Sequence, residues 1–166
     1  METLVPLTRA ETPVAPSSEL TLQGCTNFKL RQLMRRISQH YDDEVRQTGL
    51  KTTQYSLLSH VLHLGPIRPG DLAAAMTLDA STLTRNMKPL VLAGWLVVSE
   101  GSDGRSRTVT LTDSGHQKRT EAQQHWKVAQ HRLNEMLGVQ RVAALHALID
   151  ESLGLLSPNL DGATDE

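Results

Sequence analysis

The 166-residue chain is poor in the residues that staple, anchor or bulk out a protein. Its single cysteine, Cys25, leaves no disulfide to close within one chain. Aromatic residues make up 3% of it (one Phe, two Trp, two Tyr), so aliphatic side chains must fill any core. No apolar run approaches the roughly 20 residues that a membrane-spanning helix needs, and the N-terminus has no apolar signal core. These absences lead us to expect a soluble cytoplasmic protein with no membrane partner. A glycine-rich phosphate loop, paired catalytic carboxylates and a nucleophile–base signature are also missing, so no enzyme is expected. The histidines are scattered. His60 and His63 fall three apart, at a spacing that could reach one metal, but no carboxylate or cysteine neighbours them in sequence. No metal and no cofactor is expected.

What is present begins with charge. The formal net charge is −1, with hydrophobic content of 39% and charged content of 21%. Two acidic stretches skew that balance. Residues 1–19 and 158–166 are rich in Pro, Ser, Thr and acid, and read as disordered tails. Setting them aside removes six acids and one arginine, which turns −1 into +4. A dimer doubles that to +8. The remainder is mildly basic, which permits contact with a polyanion without demonstrating it.

Apolar periodicity predicts the elements. Leu30, Leu33, Ile37, Tyr41 and Val45 recur at helical steps over 26–48, ended by Gly49. A second helix over 52–65 starts at threonine caps and stops at a glycine. A third, over 69–77, opens on Pro69, with Asp71 suited to the positive end of the helix dipole. After a tight link, Asp79 is a good N-cap for a fourth helix to about Ala93. Beyond Gly94 the period changes. "WLVVSE" (95–100) and "RTVTLT" (107–112) flank the turn-forming "GSDGRS", which predicts a hairpin with a six-residue tip. Long helices follow over 114–137 and 139–156, broken at Gly138. The fold expected is mainly α with a small β-hairpin wing (α+β), a winged helix–turn–helix. Its parts are an N-terminal helix over 20–50, the winged unit over 51–112 and C-terminal helices over 113–157. The terminal helices carry more apolar surface than one winged helix can cover, so we expect them to dimerise. An intrachain bundle closing on itself is the alternative that periodicity leaves open.

Several of these stretches go together. "DLAAAMTLDASTLTRNMKPLVLAGWLV" followed by "SDGRSRTVTLTDSG" resembles the MarR family of bacterial transcription regulators. The likeness lies in the D-L-A start of the third helix, S-T-x-T-R in the fourth and the G-W-L-V step into the wing. D-x-R at the wing tip and L-T-x-x-G into the long helix complete it. The resemblance implies a triangular homodimer whose recognition helices and wings meet an inverted-repeat, pseudo-palindromic operator in double-stranded DNA. It also implies repression relieved by a small aromatic carboxylate or phenolic effector bound between the lobes. Two departures stand out. Gly104 occupies the centre of the wing tip, where many relatives carry a second arginine, and Pro89 lies inside the fourth helix.

On the fourth helix Ala80, Leu83, Met87, Leu90 and Val91 step along the face expected to be buried. Ser81, Thr82, Arg85 and Lys88 point away, with Thr84 at the boundary. Hydroxyls meet phosphates or bases, and an arginine can grip guanine with two bonds. The plainer reading is an ordinary solvated face. Pro89 withholds an amide from the Arg85 carbonyl, so a bend is expected there, with or without a role in docking. In the wing, Arg105 and Arg107 are candidates for a narrow minor groove, and Asp103 either steadies Arg105 or only forms the turn. Arg68 is a candidate phosphate contact, which positions without specifying. For the effector pocket the candidates are Arg35, Gln39, His40, Tyr55, Ser59 and His63, since a carboxylate needs a cation and a ring needs apolar walls. Cys25 precedes the first long helix, where a thiolate is favoured, so an oxidant- or electrophile-sensing repressor is an alternative; a spectator thiol is the plainer one. A winged-helix protein-interaction module without DNA binding is the reading from a different class. It would need neither a basic wing nor dimer arms.

Overall fold

The computed structural model describes residues 24–101 and 106–156. Six α-helices and one hairpin run in the order α1 (Thr26–Val45), α2 (Thr52–Leu64), α3 (Pro69–Ala75), α4 (Ala80–Leu92), β1 (Leu96–Glu100), β2 (Arg107–Leu111), α5 (Asp113–Leu137) and α6 (Val139–Leu156). Among the described residues, no helix is long and apolar enough to cross a membrane.

The first helix ends earlier than its periodicity predicts. A 3-10 turn, Arg46–Thr48, follows Val45, and Gly49 closes it at φ 81°. Buried Thr48 tightens this turn by donating its hydroxyl to the Val45 carbonyl at 2.7 Å. The expected threonine cap of α2 is reversed. Thr52 is the first helical residue, and both its amide and its hydroxyl donate to Asp42 Oδ1, at 2.8 and 2.7 Å. A carboxylate from α1 thereby satisfies an orphan amide of α2 and fixes the angle between the two helices.

A compact aliphatic core joins the lobes. Leu57, Leu58, Leu72, Leu83, Leu90, Leu96 and Val109 are nearly or fully sealed, and Val45, Leu50 and Ala122 extend the cluster to α1 and α5. The strands pair antiparallel with Leu96 opposite Leu111 and Glu100 opposite Arg107. A short third pairing was not anticipated. Ile67 exchanges two backbone hydrogen bonds with Val109, at 3.2 and 2.8 Å, and pins the α2–α3 link to the hairpin. Around Trp126 of α5, the Tyr41 ring stacks at 6.2 Å and the Tyr55 ring tilts at 6.1 Å. Tyr41 donates to Gln130, and burial pushes its hydroxyl pKa up. Arg132 pairs with Glu44 across the same α1–α5 seam.

The far ends of the terminal helices lack such cover. Phe28, Leu30 and Met34 on α1 and Leu148, Leu153, Leu155 and Leu156 on α6 remain exposed. Helix α6 packs on α5, and a groove of about 440 Å³ lined by Leu30, Leu33, Ile37, Leu145 and Ile149 stays open between α1 and α6.

Candidate nucleic-acid interface

The start of α4 is organised by one carboxylate. Asp79 accepts from the Thr82 amide at 2.7 Å, the Ser81 hydroxyl at 2.6 Å and the Thr82 hydroxyl at 2.7 Å. The Ser81 hydroxyl above all, then both Thr82 donors, hold the Asp79 carboxyl far below the usual carboxylate range. Two of the hydroxyls expected to meet DNA therefore spend their protons on the cap, which leaves their oxygens as acceptors. Thr84 is likewise bonded, to the Ala80 carbonyl at 2.8 Å. Leu83, Met87 and Leu90 are buried, whereas Ala80 and Val91, assigned to the inner face from periodicity, are exposed. The buried stripe of α4 is narrower than the sequence suggested and is confined to Leu83, Met87 and Leu90. Arg85 and Lys88 project from the exposed face. Pro89 is exposed too, and the helix continues past it to Leu92.

The wing brings a third cation alongside. A hollow of about 330 Å³ lies between α4 and the hairpin, lined by Thr84, Met87, Lys88, Val91, Val98 and Arg107. Thr84, Lys88 and Arg107 thus share one surface, with an apolar floor between them. Arg68 is exposed at the start of α3, where its carbonyl accepts the Leu72 amide at 2.9 Å. Asp103, Arg105 and Gly104 lie outside the described residues, as do both acidic tails.

The six residues expected to line an effector pocket are spread over several surroundings. Arg35 is exposed and donates to the Arg31 carbonyl of its own helix at 3.3 Å. Gln39 and His63 are exposed. His40, Tyr55 and Ser59 turn toward α5. His40 Nε2 donates to the Ala129 carbonyl at 2.8 Å, Tyr55 packs on Trp126, and Ser59 accepts from Arg119 at 3.2 Å. The interlobe space lies on a different face of α2. It is a cleft of about 300 Å³ lined by Ser38 and Asp42 of α1, Thr52 and Ser56 of α2, Met76 before the α3–α4 turn and Asn86 of α4. Sequence reasoning passed over these residues. The signal available was two polar pairs four residues apart, Ser38/Asp42 and Thr52/Ser56, each on one helix face.

Cys25 is exposed at the N-cap of α1, with its side chain making no cap hydrogen bond. His60 is turned back on its own helix, bonding the Ser56 carbonyl at 2.8 Å. Among the described residues, no three His, Cys, Asp or Glu side chains converge on a metal-sized point.

Known proteins share this arrangement. The family model described as the MarR family matches residues 48–106, from the end of the 3-10 turn to the wing. The uncharacterized HTH-type transcriptional regulator YwoH of Bacillus subtilis is 28% identical over 90 residues, covering 54% of this chain and 66% of that protein. YxaD, from the same organism, is 33% identical over 91 residues, covering 54% and 64%. The chain thus spans about two thirds of the length of these relatives. Among solved structures, the M. tuberculosis transcriptional regulator MosR in complex with DNA matches with a TM-score of 0.64 at 28% identity, over 78% of this chain and 98% of that one. E. coli MarR in its apo form matches with a TM-score of 0.65 at 21% identity, over 78% and 97%, a likeness of fold.

Proposed function

We infer that this chain is a member of the MarR family and a transcription regulator that binds double-stranded DNA. The observation that carries the reading is one surface. Thr84, Lys88 and the wing residue Arg107 line a shared hollow, with Arg85 exposed on the same helix, all on the winged unit whose relatives are transcriptional regulators. Arg85 is the residue suited to reading a base edge. Lys88, Arg107 and Arg68 suit phosphates, and Arg105, with Asp103 as its carboxylate partner, is the candidate for the minor groove. Ser81 and Thr82 take part as acceptors and as props of the Asp79 cap.

The regulator works as a homodimer. Exposed Phe28, Leu30, Met34, Leu148, Leu153 and Leu156 give α1 and α6 an apolar surface that a second copy would bury. Two-fold symmetry then matches an inverted-repeat operator, with one recognition helix per half-site. It acts as a repressor, and a small molecule seated between the dimer helices and the DNA-binding lobe releases it.

Fluorescence anisotropy with duplexes from the region upstream of its own gene tests this. Saturable binding that weakens steeply with salt is expected, with Arg85→Ala losing at least about ten-fold in affinity for the preferred duplex. Equal affinity for every duplex, or none for any, would overturn it.

A further inference from the structure

We propose that the interlobe cleft is built for an ammonium-bearing amphiphile rather than for an organic acid; this rests on the cleft being the regulatory site. Its lining contains no lysine, arginine or histidine. The one ionised group in it is the Asp42 carboxylate, which is about four-fifths buried. Around that carboxylate stand the hydroxyls of Ser38, Thr52 and Ser56 and the carboxamide of Asn86, all able to accept a hydrogen bond. Met76 and Leu78 supply the apolar wall.

The hydrogen bonds of Asp42 leave room for one more donor. Oδ1 takes both donors of Thr52, at 2.8 and 2.7 Å, and Oδ2 takes Arg46 at 3.3 Å. A carboxylate has about four lone-pair sites, so one remains, on Oδ2. Arg46 is not part of the lining. Its side chain is largely exposed and pairs with Asp42 along one helix, the weakest kind of ion pair. An ammonium entering the cleft therefore gains a charge-assisted bond at a partly desolvated acid and displaces little. A carboxylate in the same place meets the like charge of Asp42, with no cation in the lining. The cleft's volume of about 300 Å³ suits a molecule with one ring and a short amine arm. Such a ligand would touch α1 through Asp42 and α4 through Asn86, so it bears on how the recognition helix is held.

Calorimetric titration of the full chain at neutral pH with phenethylamine, phenylacetate and phenethyl alcohol tests the assignment. The three probes share a ring and differ in charge. The amine is expected to bind at least about ten-fold more tightly than the acid, with the alcohol between them. Asp42→Asn keeps an oxygen for Thr52 and removes the charge, so it brings the amine down to the alcohol's affinity and leaves the alcohol unchanged. Asn86→Asp, on the opposite wall, tightens the amine and decides the matter independently should Asp42→Asn fail to fold. Ser56→Leu fills the cleft and abolishes all three. Absence of heat with the amine at millimolar concentration overturns the proposal. So does acid binding as tight as amine binding, or amine binding that survives Ser56→Leu. Duplex affinity, followed separately by anisotropy, bears only on the regulator reading. Its loss with cleft selectivity intact would remove that reading and leave the ligand class standing.

Discussion

A methyl group on Gly115 would stand 2.0 Å from the Trp95 carbonyl oxygen. That contact explains the L-T-x-x-G pattern. Thr112 caps α5 by accepting the Gly115 amide at 3.0 Å, and its hydroxyl donates to the Gly94 carbonyl at 2.6 Å. The first turn of α5 is thereby pressed against the root of the wing, closer than any side chain allows. Gly115→Ala is expected to destabilise the fold by about 2–3 kcal/mol through overpacking, read by urea unfolding. Asp79 is the second position where one residue governs an element. Its folded pKa is depressed, so its contribution is complete above the ordinary carboxylate range and is lost as pH falls through the folded value. Asp79→Ala should therefore melt at lower temperature than the wild type at pH 7, and the gap should narrow in strong acid. A gap that holds constant would contradict the cap. The sequence made Asp79 legible as an N-cap but not the cost to its neighbours. A cap that takes two hydroxyls as well as an amide depends on rotamers, which residue types alone do not specify.

Helices α3 and α4 end in the same way with different residues. In both, the two amides after the last turn fold back onto carbonyls of that turn. Thr77 and Leu78 donate to Ala74 and Ala73, and Gly94 and Trp95 donate to Val91 and Leu90. Such an ending requires a left-handed residue at its bend. Gly94 supplies it at φ 71°, whereas Thr77 is forced there at φ 52°. A β-branched residue in that region is strained, which glycine relieves against its own entropic cost. Thr77→Gly is expected to stabilise the chain by about 0.5–1 kcal/mol, measured by chemical denaturation; a loss would show the bend to be unstrained. The rule that glycine closes helices found Gly49, Gly94 and Gly138 in the sequence, and it could not find Thr77. On α4 the outward cations make their own prediction. Lys88→Ala should weaken all duplexes alike and reduce the slope of log affinity against log salt by about 0.9, whereas Arg85→Ala should also relax discrimination among duplexes.

The whole molecule is a sealed centre with open ends. Element order and the wing were readable because helical and strand periods are local properties of 10 to 20 residues. The interlobe cleft was not, since its lining comes from α1, α2, the α3–α4 turn and α4, segments that meet only after folding. The exposed apolar ends of α1 and α6 were foreshadowed by surplus apolar stripes. Leu148→Glu together with Leu153→Glu should produce a monomer in sedimentation, because each leucine withdrawn from water contributes roughly 1.5–3 kcal/mol. The winged unit should stay folded, since its core lies elsewhere. A dimer that persists would move the interface off α6. The scarcity of aromatics has one last consequence. The two tryptophans occupy the two places where movement between parts would register. Trp95 lies at the root of the wing under the Lys118 ammonium, 5.3 Å from the ring centre, and Trp126 is wedged between Tyr41 and Tyr55 where the lobes join. Replacing either with phenylalanine leaves a single tryptophan, which can be excited apart from the two tyrosines, so the protein carries its own optical gauge for each joint and needs no attached dye.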